Sequence, residues 1–298
     1  MITKLMSGLF LASVVFLLVA CGGGVSAQVP TTVSDTQLPT TNTSTAIGVQ
    51  HPVGIIAIGH SGMTGEGSDP TRPGQDAKEN SWVTGTAAEV NSVYQRLIVV
   101  RPETASHVAN LARGGAPVTA LVSQAQAAFE SVPNPELVVI QTIDGDIQCD
   151  GSDPQNVKAF GVALAEVLQV IMETSPDSQI LVVSQQGRPA MDAAVMAKDP
   201  SVWNKFVGSG ICDLFDSDGS LNQEHIATLT GIIESYEAEQ SRVCATVPQC
   251  STDEGVFSGM AYELADWVAG DWNHLNVRGQ ARRAEVIWPI VADLLGLR

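Results

Sequence analysis

The stretch VGIIAIGHSGMTGEG, Val53 to Gly67, is an apolar run that ends at a glycine and then presents one serine, Ser61, among glycines. Seven residues of this kind with no polar interruption read as a strand buried on both faces, which is the signature of a parallel sheet covered by helices. A serine immediately beyond such a strand lies at the carboxyl edge of the sheet, where open α/β sheets bind their ligands. Alone it is a turn residue or a helix cap. It becomes a candidate nucleophile only if the rest of the chain supplies a base, an acid to orient the base, and donors for an oxyanion.

Outward from this stretch, two further apolar runs are predicted strands: ELVVIQTI (Glu136 to Ile143) and QILVVS (Gln179 to Ser184). A weaker strand falls in RLIVVRP or in SHVANLA. Helical periodicity is expected over Ala87 to Arg96, Val118 to Ser131, Pro154 to Thr174, Gln223 to Arg242 and Val277 to Leu295. In the third of these, Phe160, Leu164, Val167, Leu168 and Ile171 recur at spacings of three and four and form one buried stripe. Strands alternating with helices predict a doubly wound sheet in a single domain, residues 51 to 298, with no internal repeat and no second linker. The segment from Gln185 to Gly219 is longer than an ordinary connection and is expected to be functional or tied down.

Near the other end stands GDWNHLNVRGQARRAEVIW, in which Asp271 precedes His274 by three residues and a helical segment follows. A carboxylate at that spacing reaches the imidazole, selects its tautomer and leaves the second ring nitrogen for a hydroxyl. Ser61, His274 and Asp271 are therefore the candidate catalytic set.

The first residues, MITKLMSGLFLASVVFLLVACGGG, place Lys4 before an apolar run that stops at Cys21. Residues 1 to 20 read as a cleaved export signal, too short and too one-sided for a membrane span. Leu18-Val19-Ala20-Cys21 resembles the bacterial lipobox, which makes Cys21 the lipidated first residue of an exported, envelope-anchored chain. Residues 21 to 50, rich in Thr, Ser, Gly and Pro, are expected to be a flexible tether. Net charge is −17, with 32 acidic residues against 15 Lys and Arg, and such a surface repels phosphate backbones. Nucleic acid is excluded as a partner, and lipid rather than charge would hold the protein to a membrane. Solute binding between two lobes does not fit a chain with no repeated pattern.

The remaining cysteines, Cys149, Cys212, Cys244 and Cys250, are even in number in an exported chain, so two disulfides are expected from three possible pairings. The short separation of Cys244 and Cys250 favours that pair, which leaves Cys149 with Cys212. No C-x-x-C occurs and the histidines are not clustered, so no metal site is expected. The acids Asp144, Asp146, Asp150 and Asp153 match no calcium loop and are expected to brace the site. Asp216 to Gly219 reads as a plain turn. The tryptophans default to core packing, with Trp272, between Asp271 and His274, expected to face a substrate.

With these motifs in place, the chain resembles the SGNH hydrolases, the GDSL esterase and lipase superfamily. Gly59-His60-Ser61 stands where that family has G-D-S, with histidine in place of aspartate, and Asp271 and His274 match its closing D-x-x-H. NLARGGA matches the second block: Asn110 aligns, and Gly115 is the expected oxyanion glycine with Gly114 as the alternative. The third block, G-x-N-D, falls on IDGDIQCDG, where Gly145 replaces the oxyanion asparagine and Asp146 keeps the aspartate. The resemblance implies a three-layer α/β/α fold with a parallel, flavodoxin-like sheet. It also implies a monomeric serine esterase that needs no cofactor, with an oxyanion hole from the N–H groups of Ser61 and Gly115, Gly145 in the third place. Gln186 or Asn273 is expected to fill in for the lost asparagine. Because no amphipathic lid stands out, short acyl esters are expected, acetyl groups on glycans among them. The competing expectation is a glycan- or envelope-binding lipoprotein on the same scaffold without catalysis.

Overall fold

A computed structural model describes residues 51–208 and 210–297. The expected export signal, Cys21 and the tether lie outside the described residues. Five strands form one parallel sheet in the order β2-β1-β3-β4-β5: β1 Ile55–Gly59, β2 Val108–Asn110, β3 Leu137–Gln141, β4 Gln179–Val183 and β5 Cys250–Thr252. This is the flavodoxin-like order, with its switch point between β1 and β3. Ile55 pairs with Val108 on one side and Leu137 on the other, so the carboxyl end of β1 lies mid-sheet.

The helices are α1 Val93–Val100, α2 Leu121–Ser131, α3 Asp153–Thr174, α4 Pro189–Met196, α5 Pro200–Trp203, α6 Gln223–Cys244 and α7 Val277–Leu294. Strand alternation decides which of them covers which face. Ile55, Ala57, Leu137, Val139, Leu181 and Val183 pack with α1, α4 and α7, while Ile56, Ile58, Val138, Ile140, Ile180 and Val182 pack with α2, α3 and the latter half of α6. Three layers follow. The five apolar residues of the α3 stripe are all buried, each contributing roughly 1.5–3 kcal/mol.

Two local readings resolve differently from expectation. RLIVV belongs to α1, so the weaker strand is the one in SHVANLA; α1 starts at Val93, not near Ala87, because Ser92 and Gln95 form a reciprocal capping box. The edge strand β5 was not expected, since Cys250-Ser251-Thr252 is half-buried and carries no apolar run. Both disulfides have the favoured pairing, Cys149–Cys212 and Cys244–Cys250.

β1 must end at Gly59. Its φ is +150°, and a Cβ there would stand 2.0 Å from the Gln141 carbonyl oxygen. The buried Gln124 amide holds the two peptide groups that flank Gly59, accepting from Gly59 N at 2.7 Å and donating to Gly59 O at 3.1 Å. Gly59→Ala is accordingly expected to destabilise the fold by more than about 3 kcal/mol in urea unfolding. A loss below about 1 kcal/mol would show that the strand end relaxes freely.

Candidate active site

Ser61 opens a single 3-10 turn, Ser61–Met63, directly beyond β1, and is only 6% exposed. As the first N–H of a helical turn, the Ser61 amide is not used by the turn itself. The turn is clamped from three directions. Gly62 O accepts from Trp82 Nε1 and from Arg283 Nη1, both at 3.0 Å, and Gly62 N donates to His60 Nδ1 at 3.1 Å. Asn110 Nδ2 donates to Met63 O at 2.9 Å and to Thr84 Oγ1 at 2.8 Å, so the aligned asparagine braces the turn.

The base comes from the loop ahead of α7. Asp271 Oδ1 accepts from the backbone of Asn273 at 2.6 Å and of His274 at 3.1 Å, while Oδ2 meets His274 Nδ1 at 2.7 Å. Trp272, with φ +59°, makes the tight reversal that lets one carboxylate serve all three. His274 O is tied back to Val268 N at 2.8 Å, and Asn276 caps α7 through Gly279 N at 3.2 Å. With Nδ1 committed to the carboxylate, Nε2 is the free base nitrogen. Its nearest charged partner is Glu66 Oε2 at 3.6 Å, and among the described residues no hydrogen bond joins it to Ser61 Oγ.

The charges around this pair shift both groups. Burial works against the His274 imidazolium, but the hydrogen bond and charge of Asp271, with Glu66 and Asp144, raise its pKa above the ordinary value. Burial works to raise Asp271, and the His274 hydrogen bond and charge outweigh it and hold the carboxyl below its ordinary value. His60 is shifted down, chiefly by burial, and stays neutral. Since its Nδ1 accepts from Gly62 N, its proton sits on Nε2, which is buried without a partner.

Ser61 and His274 wall one cavity of about 280 Å³. Its lining includes the polar residues His60, Asp144, Gln185, Gln186, Asp192 and Asn273 and the apolar residues Ile147, Met196, Phe206, Leu214, Leu229, Ile233, Trp267 and Trp272. The long segment after β4 contributes Met196, Phe206 and Leu214 to that lining, and the Cys149–Cys212 bridge ties the segment to the loop after β3. Trp272 lines the cavity, as do Gln186 and Asn273, although Gln186 Oε1 accepts from Arg283.

Gly115 and Gly145 do not line the cavity. Gly115, at φ +64°, sits in the Arg113–Ala116 turn, which Arg113 N fastens to Gly59 O at 3.1 Å. Gly145 packs beneath the Ala116 carbonyl, where a Cβ would approach to 2.4 Å. Asp144, one residue earlier, is the group that turns into the cavity, accepting from Gln185 Nε2 at 3.1 Å with Oδ2 3.9 Å from His60 Nδ1. The other acids of this loop do brace it. Asp146 accepts from Val118 N and Thr142 Oγ1, and Asp153 from Gln148 N and Cys149 N. Among the described residues, no group of three or more His, Cys, Asp or Glu is placed to hold a metal ion.

Three residues of the site carry no motif in the sequence. Arg283 is wholly buried, donating to Tyr262 Oη at 3.1 Å, to Gly62 O and to Gln186, with its guanidinium 4.9 Å from the centre of the Phe257 ring. It fixes the carbonyl next to Ser61. Burial pushes the Asp192 carboxyl up to about 7 against the opposing charge of Arg283. Glu66 reaches back over the nucleophile turn towards His274. The only sequence signal for Arg283 is its place on the inward stripe of α7, in register with Ile287 and nine residues beyond His274.

A scan against protein-family models found no match, and neither did a search of curated proteins. Among solved structures the chain is similar to TesA, at 16% identity and TM-score 0.48, over 80% of this chain and 98% of that one. It is similar to a putative GDSL-like lipase from Parabacteroides merdae, at 12% identity and TM-score 0.49, over 83% and 97%. It is also similar to an extracellular lipase from Streptomyces rimosus, at 14% identity and TM-score 0.47, over 81% and 99%.

Proposed function

We propose that the protein is a serine hydrolase of carboxylic esters, of the SGNH kind its motifs resemble. The observation that carries the reading is the His274 imidazole, held by Asp271 through Nδ1, sharing one cavity with a serine at the carboxyl edge of the central strand. Ser61 Oγ attacks the ester carbonyl carbon while His274 Nε2 takes its proton. The tetrahedral oxyanion collapses, the carbon–oxygen bond to the alcohol breaks, and Nε2 returns the proton to the leaving oxygen. Water then attacks the acyl-enzyme by the same relay and releases the acid. Asp271 stays ionised and stabilises the imidazolium at each step. The Ser61 N–H, which the 3-10 turn does not use, would serve as an oxyanion donor. No step requires a cofactor or a metal.

The apolar lining residues would receive the acyl group, and the polar ones the alcohol. A cavity of this size suits short acyl esters, acetyl on glycans among them, and the N-terminal signal with Cys21 suits an ester of the envelope or its surroundings. In a nitrophenyl ester series from acetate to palmitate, kcat/KM should fall at least about tenfold between butyrate and palmitate. A rise towards palmitate would contradict the short-acyl assignment. The second reading, a glycan-binding lipoprotein without turnover, draws on one observation: a carboxylate, Asp144, faces the cavity where an oxyanion donor is expected. Saturable binding of an acetylated glycan with no release of acetate would favour it.

A further inference from the structure

Glu66 belongs to none of the motifs, yet its carboxylate occupies the most sensitive place in the site. The chain leaves the Ser61 turn, passes Gly65 at φ +65° and brings Glu66 back so that Oε2 lies 3.6 Å from His274 Nε2. Nε2 is the nitrogen that must accept the Ser61 proton. Both side chains are shielded, 15% exposed for His274 and 22% for Glu66. The same oxygen lies close to Gly114, where a Cβ would stand 2.9 Å from Oε2. A residue with a side chain at 114 would displace it. One carboxylate oxygen of Glu66 is therefore close both to the base nitrogen and to Gly114, with room made for it by a glycine.

We propose that Glu66 is a positioning residue for His274: it competes with Ser61 for Nε2 and so sets the pH at which the imidazole becomes available as a base. This rests on the reading of His274 as the general base. In the resting site the imidazole lies between two carboxylates, Asp271 at Nδ1 and Glu66 at Nε2. That arrangement favours the doubly protonated ring, which donates at both nitrogens and cannot take a proton from Ser61. The other charged groups near His274 are Asp144 from the loop after β3, His60 from the end of β1, and Lys205, which donates to the Gly270 carbonyl next to Asp271. Asp144 acts in the same direction as Glu66, and the buried neutral His60 opposes it only when charged. Glu66 is the nearer acid and the one that faces Nε2.

Glu66→Gln keeps the size and one acceptor oxygen but removes the charge. The His274 pKa should then fall by roughly half to one unit, a shift moderated by the partial exposure of the pair. At a pH well below the wild-type midpoint, this gives about three- to tenfold more free base, and the variant should be the faster enzyme there. Glu66→Asp, which retains the charge on a side chain one methylene shorter, should hold the ring pKa above that of Glu66→Gln. The decisive measurement is an NMR titration of the His274 ring in the full chain, its signal assigned by loss in His274→Asn, alongside pH profiles of kcat/KM for a neutral ester. A lower ring pKa in Glu66→Gln, with the acid limb of the profile moved by the same amount, supports the assignment. An unchanged ring pKa in a Glu66→Gln protein with a native spectrum overturns it. If the ring shifts but no variant turns over any ester, the Glu66 contact stands and the esterase reading falls. Turnover without a shift has the opposite meaning.

Discussion

Ser61→Ala is expected to lower kcat/KM for an activated ester by four orders of magnitude or more, to the residual rate that oxyanion contacts and binding alone sustain. The size follows from the covalent route. Without Oγ no acyl-enzyme forms, and water would have to attack from a site shaped for a fixed serine. The fold should be indifferent to the change. Ser61 sits in the turn through its carbonyl, which accepts from Thr64 N and Thr64 Oγ1, and among the described residues its own hydroxyl makes no hydrogen bond. Thermal unfolding should therefore stay within a few degrees of wild type while turnover disappears. Residual activity within tenfold of wild type would remove Ser61 from the mechanism.

The second large effect is expected at Asp271. Asp271→Asn preserves the shape of the loop, since the amide oxygen still accepts from Asn273 N and His274 N. The remaining NH₂ faces Nδ1 as a donor and forces the proton of a neutral ring to Nε2, the wrong tautomer for a base. A loss of about 10⁴ in kcat follows from that inversion alone. Here the inverted ring would also find a ready partner, since the Nε2–H would point at Glu66. The loss should be deepest at high pH and should not be recovered there, unlike the effect of a shifted pKa. An Asp271→Asn enzyme that regains wild-type kcat at high pH would show that the carboxylate acts by charge alone.

The candidate set could be picked out of the sequence because each half of it is local. Asp271 and His274 lie within one turn, and Ser61 follows a strand whose apolar run has no competing reading. The same holds for the α3 stripe and for Cys244–Cys250, whose six-residue separation left Cys149 and Cys212 to pair with each other across 63 residues. What was not legible depends on groups brought together from distant parts of the chain. RLIVVRP is apolar enough for a strand, and only the Ser92–Gln95 capping box, together with the exposure of Val99, makes it the outer end of a helix. β5 lacks hydrophobic content because an edge strand of three residues buries little. Arg283 stands in QARRAE, where adjacent arginines read as a solvated face; one helical step turns Arg283 to the core and leaves Arg282 part-exposed against the buried Asp266.

The oxyanion region shows a different kind of limit. Alignment on the glycine pattern puts Gly145 in the place of the asparagine, yet Ile143 takes φ +85°, a conformation that a β-branched residue rarely adopts and that no residue-type signal announces. Past that reversal, Asp144 faces the cavity and Gly145 packs beneath Ala116. Spacing reports which residues are neighbours along the chain. It does not report which way a strained turn points them.

The central claim is that Ser61 is an activated nucleophile, and intact-mass analysis after exposure to a fluorophosphonate tests it most directly, because the reagent reads the serine without any choice of substrate. The account predicts a single adduct on the wild-type protein, none on Ser61→Ala, and strongly slowed labelling in His274→Asn. No adduct on a folded wild-type protein, or an adduct that persists in Ser61→Ala, would contradict it.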